Sequence, residues 1–430
     1  MQDIKSIISG DGMYALMGKL FPICRSLTGD GVRETLRIIS ETIPLEITEI
    51  PTGTEVLDWT VPKEWNIKDA YICNENGDRI IDFKQNNLHV VGYSIPVDKW
   101  VTLDELQEHL YSIEDQPDAI PYITSYYKEY WGFCIEHSKR EKLKDEKYHV
   151  VIDSSLEDGN LTYGELLIPG ESEKEIFIST YICHPSMANN ELSGPVLVAA
   201  LAKWISSIPR KYSYRIVFIP ETIGSIAYLS RNLEMMKKNI IAGFNVTCVG
   251  DDGPYSYLAS RYGNTFADKV VLNVLNSSHP DFNTYSFLDR GSDERQYCSP
   301  GVDLPVVTIM RSKYATYPEY HTSLDNLDFV SPEGLQGSFE VYQQCIEAIE
   351  KSKRYKATCL GEPQLGKHGL SMSLSTKNAI KNERILLQHF LAYADGTNDL
   401  IDISNIIDVP LEDLIPIAEK LEEAKLIEVL

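Results

Sequence analysis

The rhythm of apolar and polar residues changes along this chain, and each change predicts a different kind of structure. Residues 12–50 carry apolar positions at helical spacing twice, in GMYALMGKLFPICRSL and in GDGVRETLRIISETI, where Val32, Leu36, Ile38 and Ile39 share one side. The alternation at 45–50 then reads as a half-buried strand. Between about residues 51 and 165 short alternating runs are separated by turn residues such as Asn76-Gly77-Asp78. That texture predicts antiparallel β-structure, a β-sandwich or jelly-roll-like piece inserted into its surroundings. Beyond it, apolar runs at 176–183, 214–219, 240–249 and 306–310 alternate with helical patterns at 194–206, through Tyr228 to 237, near 266–276 and over 332–352. Strands alternating with helices predict an α/β domain with a mixed, mostly parallel sheet flanked by helices. Residues 353–372 are polar and read as a linker. The last stretch, 373–430, has helical patterns at 382–394 and 411–424, a short helix candidate between them and a final strand at 426–430. Three helices and a strand suggest a winged helix. The expected organisation is an α/β domain of 1–50 with 166–352, an insert of 51–165, and a winged-helix-like domain of 373–430.

Composition narrows the function classes. A hydrophobic fraction of 43% over 430 residues is that of a globular protein with more than one core. No apolar run approaches the roughly 20 residues a bilayer span needs, and the N-terminus lacks the pattern of a signal peptide. The eight cysteines are scattered without a CxxC pair, which fits a reducing cytoplasm. A net charge of -23 argues against nucleic acid and against anionic membranes. The last helical segment carries Glu412, Asp413, Glu419, Glu422 and Glu423, so the winged helix is expected to pack or to support a homo-oligomer rather than bind DNA. The aromatics Trp59, Trp65, Tyr126, Tyr127, Tyr130 and Trp131 could line a groove; filling the insert's core is the better expectation, since large aromatics dominate core burial.

Chemistry concentrates at strand ends. His184 and Glu191 follow the strand at 176–183, Glu221 follows the next, and Asp251-Asp252 follows the third. His321 lies past the fourth, which Asp293 precedes. In a parallel sheet those ends converge on one edge, where ligands bind. Taken singly, each residue has a plain reading: a histidine that hydrogen-bonds, a Glu221 or Asp325 that caps a helix, an Asp-Asp-Gly turn. Taken together, two histidines and several carboxylates on one edge suit a divalent metal, most plausibly zinc with an open position for water.

His184, the segment Ala188-Asn-Asn-Glu-Leu-Ser-Gly194, Gly224-Ser225 after Glu221, Gly291-Ser-Asp293, Gly301-Val-Asp-Leu-Pro305 and His321-Thr322 occur in an order that resembles zinc aminopeptidases of the M28 type. The whole chain is similar to bacterial aminopeptidase-like proteins with an inserted β-domain and a C-terminal winged helix, often associated with polysaccharide-biosynthesis loci. The resemblance implies a metallo-aminopeptidase-like hydrolase acting on a small peptide or an amino-acid-decorated sugar. The departures matter. Asn190 stands where the M28 pattern has a metal-bridging aspartate, Pro220-Glu221 replaces a tandem Glu-Glu, and Thr247 replaces a further aspartate. The expectation is therefore one Zn2+, held by His184, Glu191 and His321, with Glu221 as general base or as a ligand. Asp293 would support the site or hold a substrate amine, with Asp251 in reserve. Arg311 and Tyr314 are candidates for a substrate carboxylate or an oxyanion. Two other readings stay open: a binding protein on a decayed peptidase scaffold, and a metal-dependent acyl transferase or cyclase.

Overall fold

The computed structural model describes residues 7–370 and 379–430. It divides into two compact units, residues 1–263 with 283–340, and residues 264–282 with 341–430.

The first unit is built on an eight-stranded sheet. Across it run Glu46–Pro51, Asn160–Ile168, Tyr212–Ile219, Ser172–Tyr181, Ile240–Val246, Val306–Met310, Ser256–Leu258 and Asn283–Tyr285. The four central strands, from Tyr212–Ile219 to Val306–Met310, are mutually parallel. Antiparallel strands border them on both sides, so the sheet is mixed and mostly parallel, as the alternation of strands and helices implied. Ile176, Phe177 and Ile178 are wholly buried, as expected for a strand covered on both faces. The helix Ser193–Ile205 is apolar almost all round, and Pro195 to Ala202 are all buried. Gly194 lets it begin so close to the sheet: a Cβ there would lie 2.4 Å from Thr180 Oγ1 and 2.4 Å from the Val246 carbonyl.

Residues expected to form a sandwich carry one four-stranded antiparallel sheet, in the order Arg79–Asp82, Glu64–Cys73, Tyr148–Glu157, Val97–Val101, together with two two-stranded pairs. The aromatics of this region divide. Trp65 and Trp131 are core, at 3% and 7% exposure, whereas Trp59 and Tyr127 are exposed and Tyr126 is half-buried.

Glu64 ties this sheet to the helix Asp30–Ser40. It accepts from Arg33 Nη1 at 3.0 Å, from Asn66 Nδ2 at 2.9 Å and from the Asn160 N–H at 2.9 Å. The Arg33 guanidinium, working against burial and helped by the Asn160 N–H, holds the Glu64 carboxyl down at about 2. A depressed carboxyl stabilises the fold above its usual value of 4.5 and loses that contribution as pH falls toward 2. Glu64→Gln is therefore expected to unfold about 1–2 kcal/mol more easily at pH 7, with solvent screening allowed for. The gap should close in urea titrations run between pH 4.5 and 2; a gap independent of pH would remove the ion pair as its cause.

In the second unit, the helices Ala379–Tyr393, Leu400–Ile407 and Leu411–Glu423 pack with a three-stranded sheet of Asp395–Asp399, Arg354–Ala357 and Ile427–Val429. The expected linker thus begins as a strand, because Tyr355 is a buried core residue there. Positions 371–378, which include the end of that linker and the expected start of the winged helix, lie outside the described residues. The helix Phe266–Ser278 belongs with this unit: Lys269 Nζ meets Asp402 Oδ1 at 2.6 Å and Asn273 Nδ2 meets Ser404 Oγ at 2.7 Å. Glu412, Asp413, Glu419, Glu422 and Glu423 are all exposed on the last helix, a face that repels a phosphate backbone. All eight cysteines are free thiols, and among the described residues no helix is long and apolar enough to cross a membrane.

Candidate metal centre

The parallel strands deliver their following loops to one edge of the sheet, and non-glycine residues in left-handed backbone recur there. Ser186, Thr222, Cys248 and His321 have φ of 25°, 64°, 51° and 56°. Such conformations cost of order 1 kcal/mol or more each and persist where the surroundings fix them.

His184 leaves the strand Ser172–Tyr181 and is 4% exposed. Its Nδ1 donates to Glu191 Oε2 at 2.7 Å, and its Nε2 lies 3.7 Å from Glu221 Oε2. His321 stands nearby, with its ring centroid 5.5 Å from that of His184. Glu191 sits on a π-helical turn, Ala188–Leu192, whose N-terminal N–H groups are gathered by one carboxylate. Asp325 accepts from Ala188, Asn189 and Asn190 at 3.1, 2.6 and 2.9 Å. The capping role that Asp325 could have had is real, and it clasps the Glu191 turn to the loop of His321.

The charges are arranged around His184. Burial works against a charged ring, but Glu191 and Glu221 outweigh it and raise its pKa above the usual 6.5. His321 is pushed the other way, to about 3, by burial and by the charge of His184, so its imidazole is neutral. Burial raises Glu221, opposed by His184. Asp293 is pushed up to about 7 by burial and by the charge of Glu221. Its Oδ1 accepts from the Thr222 N–H at 2.7 Å and from Ser225 Oγ at 2.8 Å, which steadies the peptide beside Glu221, while Oδ2 is buried without a hydrogen bond.

Glu191 stands with His184 and Cys183 rather than beside Glu221. It faces Nδ1, on the far side of the ring from Glu221, and its other oxygen lies 3.6 Å from Arg25 Nε. Arg25 is 1% exposed and donates to the carbonyls of His184 and Leu20 at 3.0 and 2.7 Å. Among the described residues Cys183, His184 and Glu191 are the group of three possible ligands whose atoms all lie within 4.8 Å of one another, and the Arg25 guanidinium already supplies positive charge to that pocket. Sequence reasoning missed Arg25; its signal was a lone cation in the apolar run LFPICRSL.

Three candidates are committed elsewhere. Arg311 donates to the carbonyls of Gly253 and Gly334 and to Ser338 Oγ, with its guanidinium 4.0 Å from the Tyr255 ring centroid. Tyr314 donates to Glu294 Oε1 at 2.6 Å and accepts from the Gly291 N–H. Asp251 accepts from Asn189 Nδ2, the Gly253 and Ser312 N–H groups and Ser312 Oγ. All three brace loops with the polar atoms a ligand would need.

Residues 120–126 also reach this edge. Tyr122 N–H donates to the His321 carbonyl at 2.8 Å, and Ser323 N–H donates to the Ile120 carbonyl at 2.8 Å. The Tyr122 ring then lies 5.2 Å from that of His184 and 5.1 Å from that of His321, and its hydroxyl meets that of Tyr126 at 3.1 Å. Tyr320 stacks on His321 at 3.9 Å. Nothing in the spacing of AIPYITSYY distinguishes Tyr122 from a core aromatic.

Comparison with known proteins adds to this geometry. A family model described as a domain of unknown function (DUF4910) matches residues 14–352, and a winged helix-turn-helix family model matches residues 353–429. A Clostridium acetobutylicum protein, named for polysaccharide biosynthesis and an aminopeptidase-like domain, is 50% identical over 399 residues, which cover 92% of this chain and 91% of that one. A crystal structure from Clostridium acetobutylicum, whose name carries the word peptidase, matches with a TM-score of 0.92 at 47% identity over 99% of this chain and 98% of that one. A zinc aminopeptidase from Bacillus subtilis matches with a TM-score of 0.57 at 11% identity, over 80% of this chain and 95% of its own, a likeness of fold.

Proposed function

We propose, on the premise that the chain belongs to the family described as a domain of unknown function (DUF4910), with an aminopeptidase-like fold and a C-terminal winged helix, that it is a zinc-dependent hydrolase of the aminopeptidase type. The observation that supports this most is the convergence of His184 Nε2, Glu221 and His321 from three separate loops.

The donor set has the chemistry zinc takes, two imidazoles and a carboxylate, but its ligand atoms do not all lie within 4.8 Å of one another, so the loops would close slightly on the ion. Two imidazoles on one tetrahedral zinc put their ring centroids about 5 Å apart, and a histidine nitrogen and a carboxylate oxygen about 3.3–3.5 Å apart. The values here are 5.5 and 3.7 Å. The carboxylates that favour a proton on His184 favour a divalent cation at Nε2 for the same reason. Glu191 then fixes the tautomer from behind rather than sharing the ion, a common arrangement for a metal-bound histidine. His184, His321 and Glu221 would hold one zinc. A second ion finds neutral groups: Asn190 Nδ2 donates to Tyr181 OH, which also meets Thr247 Oγ1. Zinc bound there would lower the pKa of a coordinated water to about 7 and polarise a carbonyl. The chain's own part is to orient His184 through Glu191, to hold the Glu221 loop through Asp293, and to cover the edge with Tyr122 and Tyr320.

The substrate class we infer is an amide in a small peptide or an amino-acid-decorated sugar, in a reducing, cytoplasmic setting. The polysaccharide-biosynthesis name of the Clostridium relative supports it. Glu221→Gln is expected to lose bound zinc and amide turnover together, measured by metal analysis and a substrate panel. A variant with full zinc and no turnover would instead make Glu221 the general base. One observation favours a second reading, a carbohydrate- or peptide-binding protein on an inactive scaffold: Asn190 and Thr247 leave the second-ion position without charge. Purified protein that takes up no zinc would select it.

A further inference from the structure

We propose that Arg295 makes this site selective for ligands that carry a carboxylate. The inference rests on the reading of the edge as a small-molecule site, not on any particular bond being cleaved.

Arg295 lies in the short helical turn Glu294–Tyr297, directly after Asp293. Its Nε donates to the Ser292 carbonyl at 2.9 Å and its Nη2 to Thr222 Oγ1 at 2.8 Å. Both partners belong to the wall around Glu221: Thr222 follows it in sequence, and Ser292 precedes Asp293, whose carboxylate takes the Thr222 N–H. The guanidinium is therefore held in place from two sides before any ligand arrives. Its positive charge is felt by Glu221, by Asp293 and by the Tyr320 hydroxyl. Tyr320 is the ring stacked on His321, and Thr222, which Arg295 holds, directly follows Glu221, so Arg295 belongs to the same loop edge as the histidines.

What separates Arg295 from its neighbours is that its charge is not matched by contact. Arg25 sits against Glu191, and Arg215 is paired with Glu165 and Glu175. Arg311 is spent on carbonyls and on Tyr255. Among the described residues Arg295 has no carboxylate within ion-pair distance, and its Nη1 has no hydrogen-bond partner. A half-buried planar cation with an open edge is matched by a planar anion that accepts two parallel N–H bonds. The carboxylates of Glu221, Asp293 and Glu294 crowd the same region and disfavour a doubly charged phosphate. A single carboxylate is the better fit, from the C-terminus of a short peptide or from a sugar acid. Arg295 thus takes the place expected for Arg311, two residues after Asp293 instead of after the last core strand.

The test is calorimetric titration of the zinc-supplemented protein with two matched pairs that it cannot hydrolyse. One is D-glucuronate against D-glucose; the other is a reduced-amide alanyl-alanine pseudopeptide against its alaninol counterpart. The parent is expected to bind at least one acid about tenfold or more tightly than its neutral partner. In Arg295→Met that ratio should fall to about one, with Arg295→Lys in between because it keeps the charge without the fork. The responding pair identifies the source of the carboxylate. Thermal midpoints report folding, and if the Met variant fails to fold the Lys variant decides. Equal binding of acid and neutral partner by the parent, no binding of either acid at millimolar concentration, or an acid preference unchanged in the variants would overturn the proposal, the last by placing the carboxylate on the metal. Amide turnover is scored separately. A protein that selects acids through Arg295 and hydrolyses nothing refutes the hydrolase reading alone, and an active enzyme indifferent to the carboxylate refutes only this one.

Discussion

His184→Ala is expected to leave the protein without stoichiometric zinc and to reduce amide turnover by at least about a thousandfold. Removing the ring deletes one of two imidazole donors and opens the buried space between Glu191 and Glu221. Glu191→Gln should behave differently. It keeps both imidazoles and Glu221 but weakens the hold on Nδ1, so zinc affinity should fall about 10–100-fold rather than vanish. Competition with a chromophoric chelator measures both. If Glu191→Gln lost zinc as completely as His184→Ala, Glu191 would be a ligand, as its place in the sequence first suggested. If His184→Ala kept a full equivalent of zinc, the centre would lie elsewhere.

The second large effect is on stability. Arg25 and Glu191 are both without side-chain exposure, and Arg25 Nη2 has no hydrogen bond. A buried pair of this kind contributes little net stability against an apolar replacement, but breaking it strands a charge. Arg25→Met is therefore expected to cost about 3–5 kcal/mol, read as a fall in the denaturation midpoint at neutral pH. Arg25→Met combined with Glu191→Leu should recover most of that loss while zinc binding remains impaired. The non-additivity is the diagnostic, since residues in contact couple and distant ones do not. Additive losses in the double variant would show that each residue acts alone.

The mixed sheet and the winged helix were legible in the sequence because each rests on a repeating signal: apolar strands alternating with 3.6-residue periodicity, then three helical patterns and a closing strand. That His184, His321 and Glu221 come near one another was legible for a related reason, since a polar residue after an apolar strand has its place set by the chain. Which side of an imidazole a carboxylate occupies is not periodic. Glu191 reads as a ligand seven residues from His184, and only the turn at Ala188–Leu192 carries it round to Nδ1. Arg311 failed in the opposite way. It follows a strand as a functional residue would, but the Gly253 and Gly334 carbonyls lie within its reach and take its donors. Arg25 and Tyr122 come from loops with no period to read, and their roles depend on contacts 166 and 199 positions away by simple subtraction from Glu191 and His321.

The backbone bonds that join Tyr122 to His321 and Ser323 to Ile120 bear on how the protein could be engineered. Residues 51–165 read in the sequence as a detachable accessory, and trimming them would be a natural route to a smaller protein. Yet their main chain holds the very loop that presents one imidazole in an unfavourable backbone conformation. Cutting residues 51–165 away would release that loop, so a shortened version would be expected to lose the placement of His321 beside His184.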